Sequence, residues 1–271
     1  DDTPVPVLDE NLEKTRTGRV WVYVGNEGHK ETVYEYTPSH ERKWPKEFLG
    51  NYQGYLQADA YKGYDGVYEG GKVIEVACWA HARRKFYEAK ETDANRGLMA
   101  LTYIGKLYQV EQEGKESSAE ERKRLRREKS LPALEAFRPW LTEQAKGVLP
   151  KSPMGGAIQY ALGQWEALVR YTTDGDLAID NNAAERALRT VVVGRKNWLF
   201  AGSDDGGRWA AIHYSIIESC KRNKIDPYRY LRDAFSRLAG HPMNRIEEFL
   251  PSRWKPPPAC AAGTADRPNT S

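Results

Sequence analysis

The chain has 271 residues, of which 40% are hydrophobic and 29% are charged, and its formal net charge is +3. This is an ordinary globular composition, with room for one large domain or two small ones. No apolar stretch approaches the roughly 20 residues that a bilayer-spanning helix needs, which excludes an integral membrane protein of that kind. Three scattered cysteines and an opening unlike a signal peptide favour a cytoplasmic protein without a disulfide framework.

Charge is distributed unevenly along the chain. Residues 1–60 hold 7 Lys or Arg against 11 Asp or Glu, a net of −4, whereas residues 181–240 hold 11 against 6, a net of +5. An acidic region beside a basic one fits a cation-binding pocket next to a surface that binds a polyanion. Charge swings of this size are also common by chance, so this pattern alone does not decide the function.

Residues 1–95 are predicted to be a mixed α/β region. Short runs rich in Val, Tyr and Trp, separated by turn residues, indicate strands. A helix over residues 79–90 follows the last of them. The predicted strands are 3–8, 19–25, 32–37, 55–58 and 73–78.

The pattern then becomes helical and later returns to α/β. Apolar side chains recur at helical spacing over much of residues 96–175, which predicts an all-helical insertion. Its basic stretch, residues 119–129, is more often a solvated face than a binding site. Further helices are predicted at 183–192, 208–223 and 227–239, with an extended piece at 197–201 and a disordered tail at 252–271.

This order of elements is that of a ribonuclease H-like domain, an α/β fold with a mixed sheet, here with the helical insertion before Glu185. The corresponding division places the first part of the core in residues 1–95 and the insertion in residues 96–175. The second part of the core, with the C-terminal helices, is residues 176–251. Because fold analogy does not fix function, the site residues must carry that argument.

Three carboxylates are placed where this topology would bring them together. Asp1 or Asp2 opens the first strand, Asp59 ends the fourth, and Glu185 lies on a helix expected to cross the sheet. Carboxylate oxygens are the ligands that Mg²⁺ prefers, and a metal site of this kind can cleave phosphodiesters. Taken singly, each residue has an ordinary structural explanation, such as a turn, a cap or an ion pair with Arg189.

Five segments, in order along the chain, resemble the insertion sequence 66 family of transposases. The resemblance runs from residue 1 to about residue 251 and is specific because all five segments match. They read DDTPVPVL from residue 1, LQADAYKGY from 56, CWAHARRKF from 78, DNNAAERALR from 180 and GRKNWLFAGS from 194.

The resemblance implies an Asp-Asp-Glu transposase that cleaves DNA at the element ends and transfers the strand into target DNA. It implies Asp1, Asp59 and Glu185 as the catalytic, metal-binding triad, with Asp2 competing for the first place. The cofactor would be Mg²⁺, which Mn²⁺ can replace. The partners would be DNA, further copies of the chain on that DNA and small accessory proteins of the same element, in the bacterial cytoplasm at the nucleoid. A core anchor at the start of the helix is the alternative role for Trp79. The expected DNA contacts are Trp79, His81, Arg83, Arg84, Asn182, Arg186, Arg189, Arg195 and Lys196.

Two other functions stay open at this point. One is a nuclease with the same fold but no strand transfer. The other is a decayed or domesticated transposase that binds DNA without catalysis. Because the first ligand stands at residue 1 or 2, we also expect the chain as given to be weakly active and an amino-terminally extended chain to be more active.

Overall fold

Five strands form two small sheets in the computed structural model, which describes residues 1–59 and 61–256 apart from the side chain of Lys62. In the first sheet, β2 lies between β1 and β3, and both of its pairings are antiparallel. The second sheet is the parallel pair β4 and β5. The strands are β1 (Asp2–Val7), β2 (Arg16–Val24), β3 (Thr32–Thr37), β4 (Gly54–Gln57) and β5 (Val73–Val76).

Eleven α-helices lie in the described part of the chain. A π-helical turn joins α5 to α6, and short 3₁₀ segments follow α8 and α11. The helices are α1 (Lys43–Leu49), α2 (Asp65–Tyr68), α3 (Trp79–Ala89), α4 (Ala94–Glu113), α5 (Ala119–Leu125), α6 (Leu131–Lys146), α7 (Pro153–Gly163), α8 (Trp165–Val169), α9 (Asn182–Trp198), α10 (Asp204–Arg222) and α11 (Pro227–Leu238).

The two faces of the three-stranded sheet have different partners, because side chains alternate along each strand. On one face, Val5, Val22 and Tyr34 pack with Leu188 and Val191 of α9. The opposite face carries a second cluster, formed by Trp21, Ala58 and Tyr64. The neighbouring candidates Asp1 and Asp2, at the start of β1, therefore face opposite sides of this sheet.

A separate and larger core joins β5 and α3 to the helical region. Phe86 of α3 packs with Ile104 of α4, Phe137 of α6 and Ile158 of α7. The predicted helices of this region are thus present, and α4 and α7 pack against α3. The division into domains stays a prediction, although this core crosses its boundary at residue 95.

The mixed α/β class is confirmed, whereas the ribonuclease H-like sheet stays a prediction. Within residues 1–59 and 61–256, no hydrogen-bonded pairing joins β1 to β4. Instead, Val7 at the end of β1 forms a parallel bridge with Ala201.

Helix α9 is six residues longer at its end than the sequence predicted. The run from Thr190 to Gly194 contains three valines and a glycine, which disfavour a helix. Packing outweighs that propensity, because Val191 is buried in the core of the sheet. A Cβ at Gly194 would lie 2.7 Å from the Tyr214 hydroxyl, so the glycine permits a close approach of α10.

The prediction of a disordered tail from residue 252 is wrong at its beginning. Trp254 is buried against Tyr230, and its indole N–H donates to Asp233 Oδ2 at 2.8 Å. The Pro-rich composition predicted disorder, but the burial of Trp254 holds the start of this stretch against α11. The rest of that predicted tail, residues 257–271, lies outside the described residues. No helix of the described chain is long and apolar enough to cross a membrane.

Candidate active site at the start of helix α9

Glu185 lies in the first turn of α9 and faces two basic side chains of α3. His81 Nε2 is 3.5 Å from Glu185 Oε1, and Arg84 Nη2 is 3.9 Å from the same oxygen. His81 and Arg84 share a face of α3 because they are three positions apart. The opposite face of α3 is buried in the helical core, which fixes the direction in which this basic pair points.

Asp1 and Asp2 point to opposite faces of the sheet. Asp1 exchanges backbone hydrogen bonds with Val22, whose side chain packs in the core beneath α9, so Asp1 lies on the α9 side. Asp2 is opposite Trp21 on the other face. Its carboxylate accepts a hydrogen bond from Arg19 at 3.0 Å and lies 3.2 Å from His40 Nε2. Asp2 is therefore already partnered, and the register favours Asp1 as the partner of Glu185.

The amino-terminal ammonium of Asp1 lies among the candidate carboxylates. Burial lowers the pKa of this ammonium, while the charges of Asp59, Asp2 and Glu185 raise it. Asp59 therefore lies close enough for its charge to act on this ammonium, although it belongs to the segment after β4. Its own Oδ1 accepts a hydrogen bond from the Tyr61 backbone at 3.2 Å, which orients the carboxylate.

The donor chemistry of this cluster fits a hard divalent cation, but the side chains are not gathered around one. Asp1, Asp59 and Glu185 offer only oxygen ligands, as Mg²⁺ requires. In the described chain, no group of three His, Cys, Asp or Glu side chains is close enough to hold a metal ion. Binding a metal would thus require side chains to move, with Glu185 turning from His81 and Arg84.

Trp79 does not fit its predicted role as a DNA contact. Its ring has no exposed surface and packs against Phe137 and Trp165, and its indole N–H donates to the Leu168 carbonyl at 2.8 Å. No face of the ring is left for a base. Trp79 is a core residue that anchors the start of α3.

The other predicted DNA contacts differ in whether their side chains already have hydrogen-bond partners within the protein. The side-chain amide of Asn182 donates a hydrogen bond to Asp180 Oδ2 at 2.8 Å. Arg195 donates to Thr3 Oγ1 at 3.1 Å and to the Pro4 carbonyl, so its first role is to hold α9 to β1. The exposed cations are Arg83, Arg84, Arg186, Arg189 and Lys196.

Sequence reasoning missed a hydrogen-bonded link that reaches the site from the helical region. The Tyr108 hydroxyl of α4 donates to Asp180 Oδ2 at 2.9 Å, just before α9. Asp180 and Tyr108 are 72 positions apart, and no local sequence signal pairs them. Nearby, the side-chain amide of Asn181 and Nδ1 of His81 are buried with no partner among the described residues.

Two family profiles match consecutive parts of the chain. The profile described as "Transposase IS66 family" matches residues 1–209, and the one described as "IS66 C-terminal element" matches residues 215–252. The chain belongs to the IS66 transposase family. The resemblance expected from its five motifs is thereby confirmed.

Three curated relatives of this IS66-family chain come from Sinorhizobium fredii and are described as uncharacterized. The protein y4hP is 36% identical over 94% of the chain and 50% of its own length. The protein y4qI is 34% identical over the same shares, and y4jD is 29% identical over 94% of the chain and 53% of its own length. The chain thus spans about half the length of these relatives. No solved structure matches it.

Proposed function

We propose that this chain is the catalytic region of a transposase, which cleaves DNA at the element ends and joins it to target DNA. The observation that supports the proposal is the position of Glu185, which faces His81 and Arg84 of α3 at the start of a helix lined with exposed cations. Asp1 lies on the same side of the sheet as α9, and Asp59 and Glu185 are close enough for their charges to act on its amino-terminal ammonium. Such an arrangement is typical of a site that works with a bound cation.

Asp1, Asp59 and Glu185 would hold Mg²⁺, or Mn²⁺ in its place, through their carboxylate oxygens. The bound ion would supply charge stabilisation and an acidified water for attack on the scissile phosphate. His81 and Arg84 contribute from α3, because each lies close enough to Glu185 to orient its carboxylate or to contact a phosphate when the carboxylate turns away.

The exposed arginines and the lysine position the DNA. Arg83, Arg84, Arg186, Arg189 and Lys196 lie on α3 and α9, which meet at Glu185. Cationic side chains bind phosphates without regard to base sequence and so fix the register of the duplex. We further propose that the protein acts as an oligomer on DNA, since joining two element ends requires two active sites, and that accessory proteins of the element assist it.

The test is cleavage and strand transfer on a labelled duplex that carries the terminal sequence of the element, in the presence of Mg²⁺. Asp59→Asn and Glu185→Gln should each lower cleavage at least about 1,000-fold, because each variant removes the charge of a proposed metal ligand. Duplex affinity should stay within about twofold of the wild type. Asp65→Asn is the matched control, since Asp65 is exposed and lies outside the proposed triad.

The outcomes separate the three candidate functions. Cleavage together with joined products supports a transposase, whereas cleavage without joining indicates a nuclease of the same fold. Duplex binding without any Mg²⁺-dependent cleavage indicates a non-catalytic DNA-binding protein. Near wild-type cleavage by Glu185→Gln would remove Glu185 from the proposed triad.

A further inference from the structure

A strained turn follows the helix that carries Glu185. Leu199 has φ +65° and ψ −51°, a backbone conformation that residues other than glycine rarely adopt. The Phe200 N–H donates to the Trp198 carbonyl at 2.7 Å, which closes a three-residue γ-turn around Leu199. This form of γ-turn, with a positive φ at its centre, is rare and strained.

The turn is fixed on both sides. Before it, the Leu199 N–H donates to the Arg195 carbonyl at 2.8 Å and so continues the helix. After it, Ala201 exchanges backbone hydrogen bonds with β1, donating to the Pro6 carbonyl and accepting from the Leu8 N–H, each at 2.9 Å. Helix and strand together hold the conformation, so the strain is not relieved by local movement.

Packing does not explain why an apolar residue occupies the strained position. The Leu199 side chain is 62% exposed, and that of Phe200 is 41% exposed. Glycine would adopt this backbone conformation with less strain, and most of the leucine side chain is exposed rather than buried. Strain that persists at an exposed position points to a role in contacting something outside the chain.

A line of cations leads from Glu185 to this turn. Arg186, Arg189 and Lys196 are exposed along one side of α9 and make no ion pair within the described residues. At a rise of about 1.5 Å per residue, the path from Glu185 to Leu199 is about 21 Å, which matches about six base pairs of B-DNA. A duplex that follows these cations from the scissile phosphate would reach the turn.

A groove lies beside the turn. It has a volume of about 380 Å³ and lies between the end of α9 and α10. Its walls include the rings of Trp198, Phe200 and Tyr214. Apolar and aromatic walls of this kind take up a base that has left the stack.

We propose that Leu199 is a wedge that unstacks one base step of the bound DNA about six base pairs from the scissile phosphate, and that the adjoining groove receives the displaced base. Apolar side chains inserted between base steps kink a duplex in this way. This inference rests on the proposed DNA-cleaving function and adds to it a contact that distorts the substrate.

The experiment uses duplexes that carry the terminal sequence of the element, each with a single 2-aminopurine at one of the positions between three and nine base pairs from the cleavage site. Unstacking raises the fluorescence of this base analogue. The wild-type chain should raise it at least about twofold at one position near the sixth pair and leave the other positions unchanged. Binding and Mg²⁺-dependent cleavage are measured on the same duplexes.

Leu199→Gly should remove the fluorescence signal and leave the melting temperature of the protein unchanged or raised, because glycine relieves the strained φ. Phe200→Ala tests the groove separately and should weaken the signal. Leu149→Gly is the matched control, since Leu149 is 78% exposed in a loop of the helical region. It should keep the signal.

Failure of the wedge and failure of the proposed function give different results. A wild-type chain that binds and cleaves the duplexes without any fluorescence change, or a Leu199→Gly chain that keeps the change, overturns the wedge alone. A wild-type chain that binds no duplex overturns both. If Leu199→Gly instead converts a DNA-free dimer to a monomer, the turn is a contact between copies and the wedge is overturned.

Discussion

The Tyr108 hydroxyl donates a 2.9 Å hydrogen bond to Asp180 Oδ2 and so connects the helical region to the residue that precedes α9. The same carboxylate accepts from the side chain of Asn182 at 2.8 Å and, through its other oxygen, from the Asn182 backbone at 3.2 Å. Glu185 follows in the next turn, with its N–H bonded to the Asn181 carbonyl at 3.2 Å. The helical region thus helps to set the position of Glu185.

Tyr108→Phe should therefore lower cleavage more than it lowers stability. The substitution removes one hydrogen bond to a charged group, worth about 1.5–3 kcal/mol, and lets the first turn of α9 shift. A small shift of a catalytic group can reduce a rate constant about 10- to 100-fold. The measurement is single-turnover cleavage at saturating DNA, together with the Mg²⁺ concentration at half-maximal rate, which should rise.

Tyr103→Phe, on the same helix, is the control for this prediction. Tyr103 stacks on Phe137, and its hydroxyl makes no hydrogen bond to the described residues. It should leave the rate and the Mg²⁺ dependence unchanged. If Tyr108→Phe loses stability without any change in Mg²⁺ dependence, Tyr108 is only structural.

Local pattern was enough to predict most elements of the fold. The alternating valines of β2 and the helical spacing of apolar residues in α4 each encode one buried face, so their type could be predicted without knowing their partners. The end of α9 could not, because its valine run is helical only through packing on the sheet. The pairing of β4 with β5 rather than β1 depends on contacts distant in sequence, which no local pattern contains.

The site was predicted in part. The resemblance implied His81 and Arg84 as DNA contacts and Glu185 as a metal ligand, and the structure brings the two basic side chains to Glu185. Trp79 was misassigned because composition cannot distinguish an aromatic ring at the surface from one in the core. Tyr108 was missed because its partner, Asp180, is close only in the fold.

The choice between Asp1 and Asp2 leads to opposite phenotypes. Asp1→Asn should abolish cleavage and leave the unfolding midpoint nearly unchanged, because asparagine keeps the oxygen that accepts the Asp2 N–H at 2.7 Å. Asp2→Asn should keep most of the cleavage activity but cost about 1–3 kcal/mol of stability, because it weakens the contacts with Arg19 and His40. Chemical denaturation and cleavage assays on both variants test this, and the reverse result would make Asp2 the ligand.

The half-buried carboxyl of Glu35 should make stability depend on pH. The pKa of Glu35 is raised from 4.5 to about 7, mainly by burial and also by the charge of Glu47, while the hydrogen bond from the Tyr23 hydroxyl lowers it. Because the folded state holds this proton more tightly than the unfolded chain, the contribution is complete below pH 4.5 and is lost as the pH rises through 7. The loss is about 1–2 kcal/mol after allowance for solvent exposure.

Glu35→Gln isolates this contribution, since glutamine does not titrate. The free energy of unfolding of the variant minus that of the wild type should rise between about pH 5 and about pH 8. Glu13→Gln, at an exposed position, should show no such trend. A difference that is flat for Glu35→Gln as well would mean that the pKa of Glu35 is not raised.

Trp79→Phe tests whether this tryptophan belongs to the core or to the DNA surface. The substitution removes the hydrogen bond to the Leu168 carbonyl and leaves a small cavity beside Phe137 and Trp165. Stability should fall by about 2–4 kcal/mol, while the affinity of the folded protein for a DNA duplex should stay within about twofold.

Tyr87→Ala, on the exposed side of the same helix, should change stability by less than about 1 kcal/mol. Denaturant unfolding and fluorescence anisotropy with labelled duplex measure the two quantities. If Trp79→Phe lost affinity tenfold with unchanged stability, Trp79 would be a DNA contact. A residue that only fills the core affects binding through folding alone.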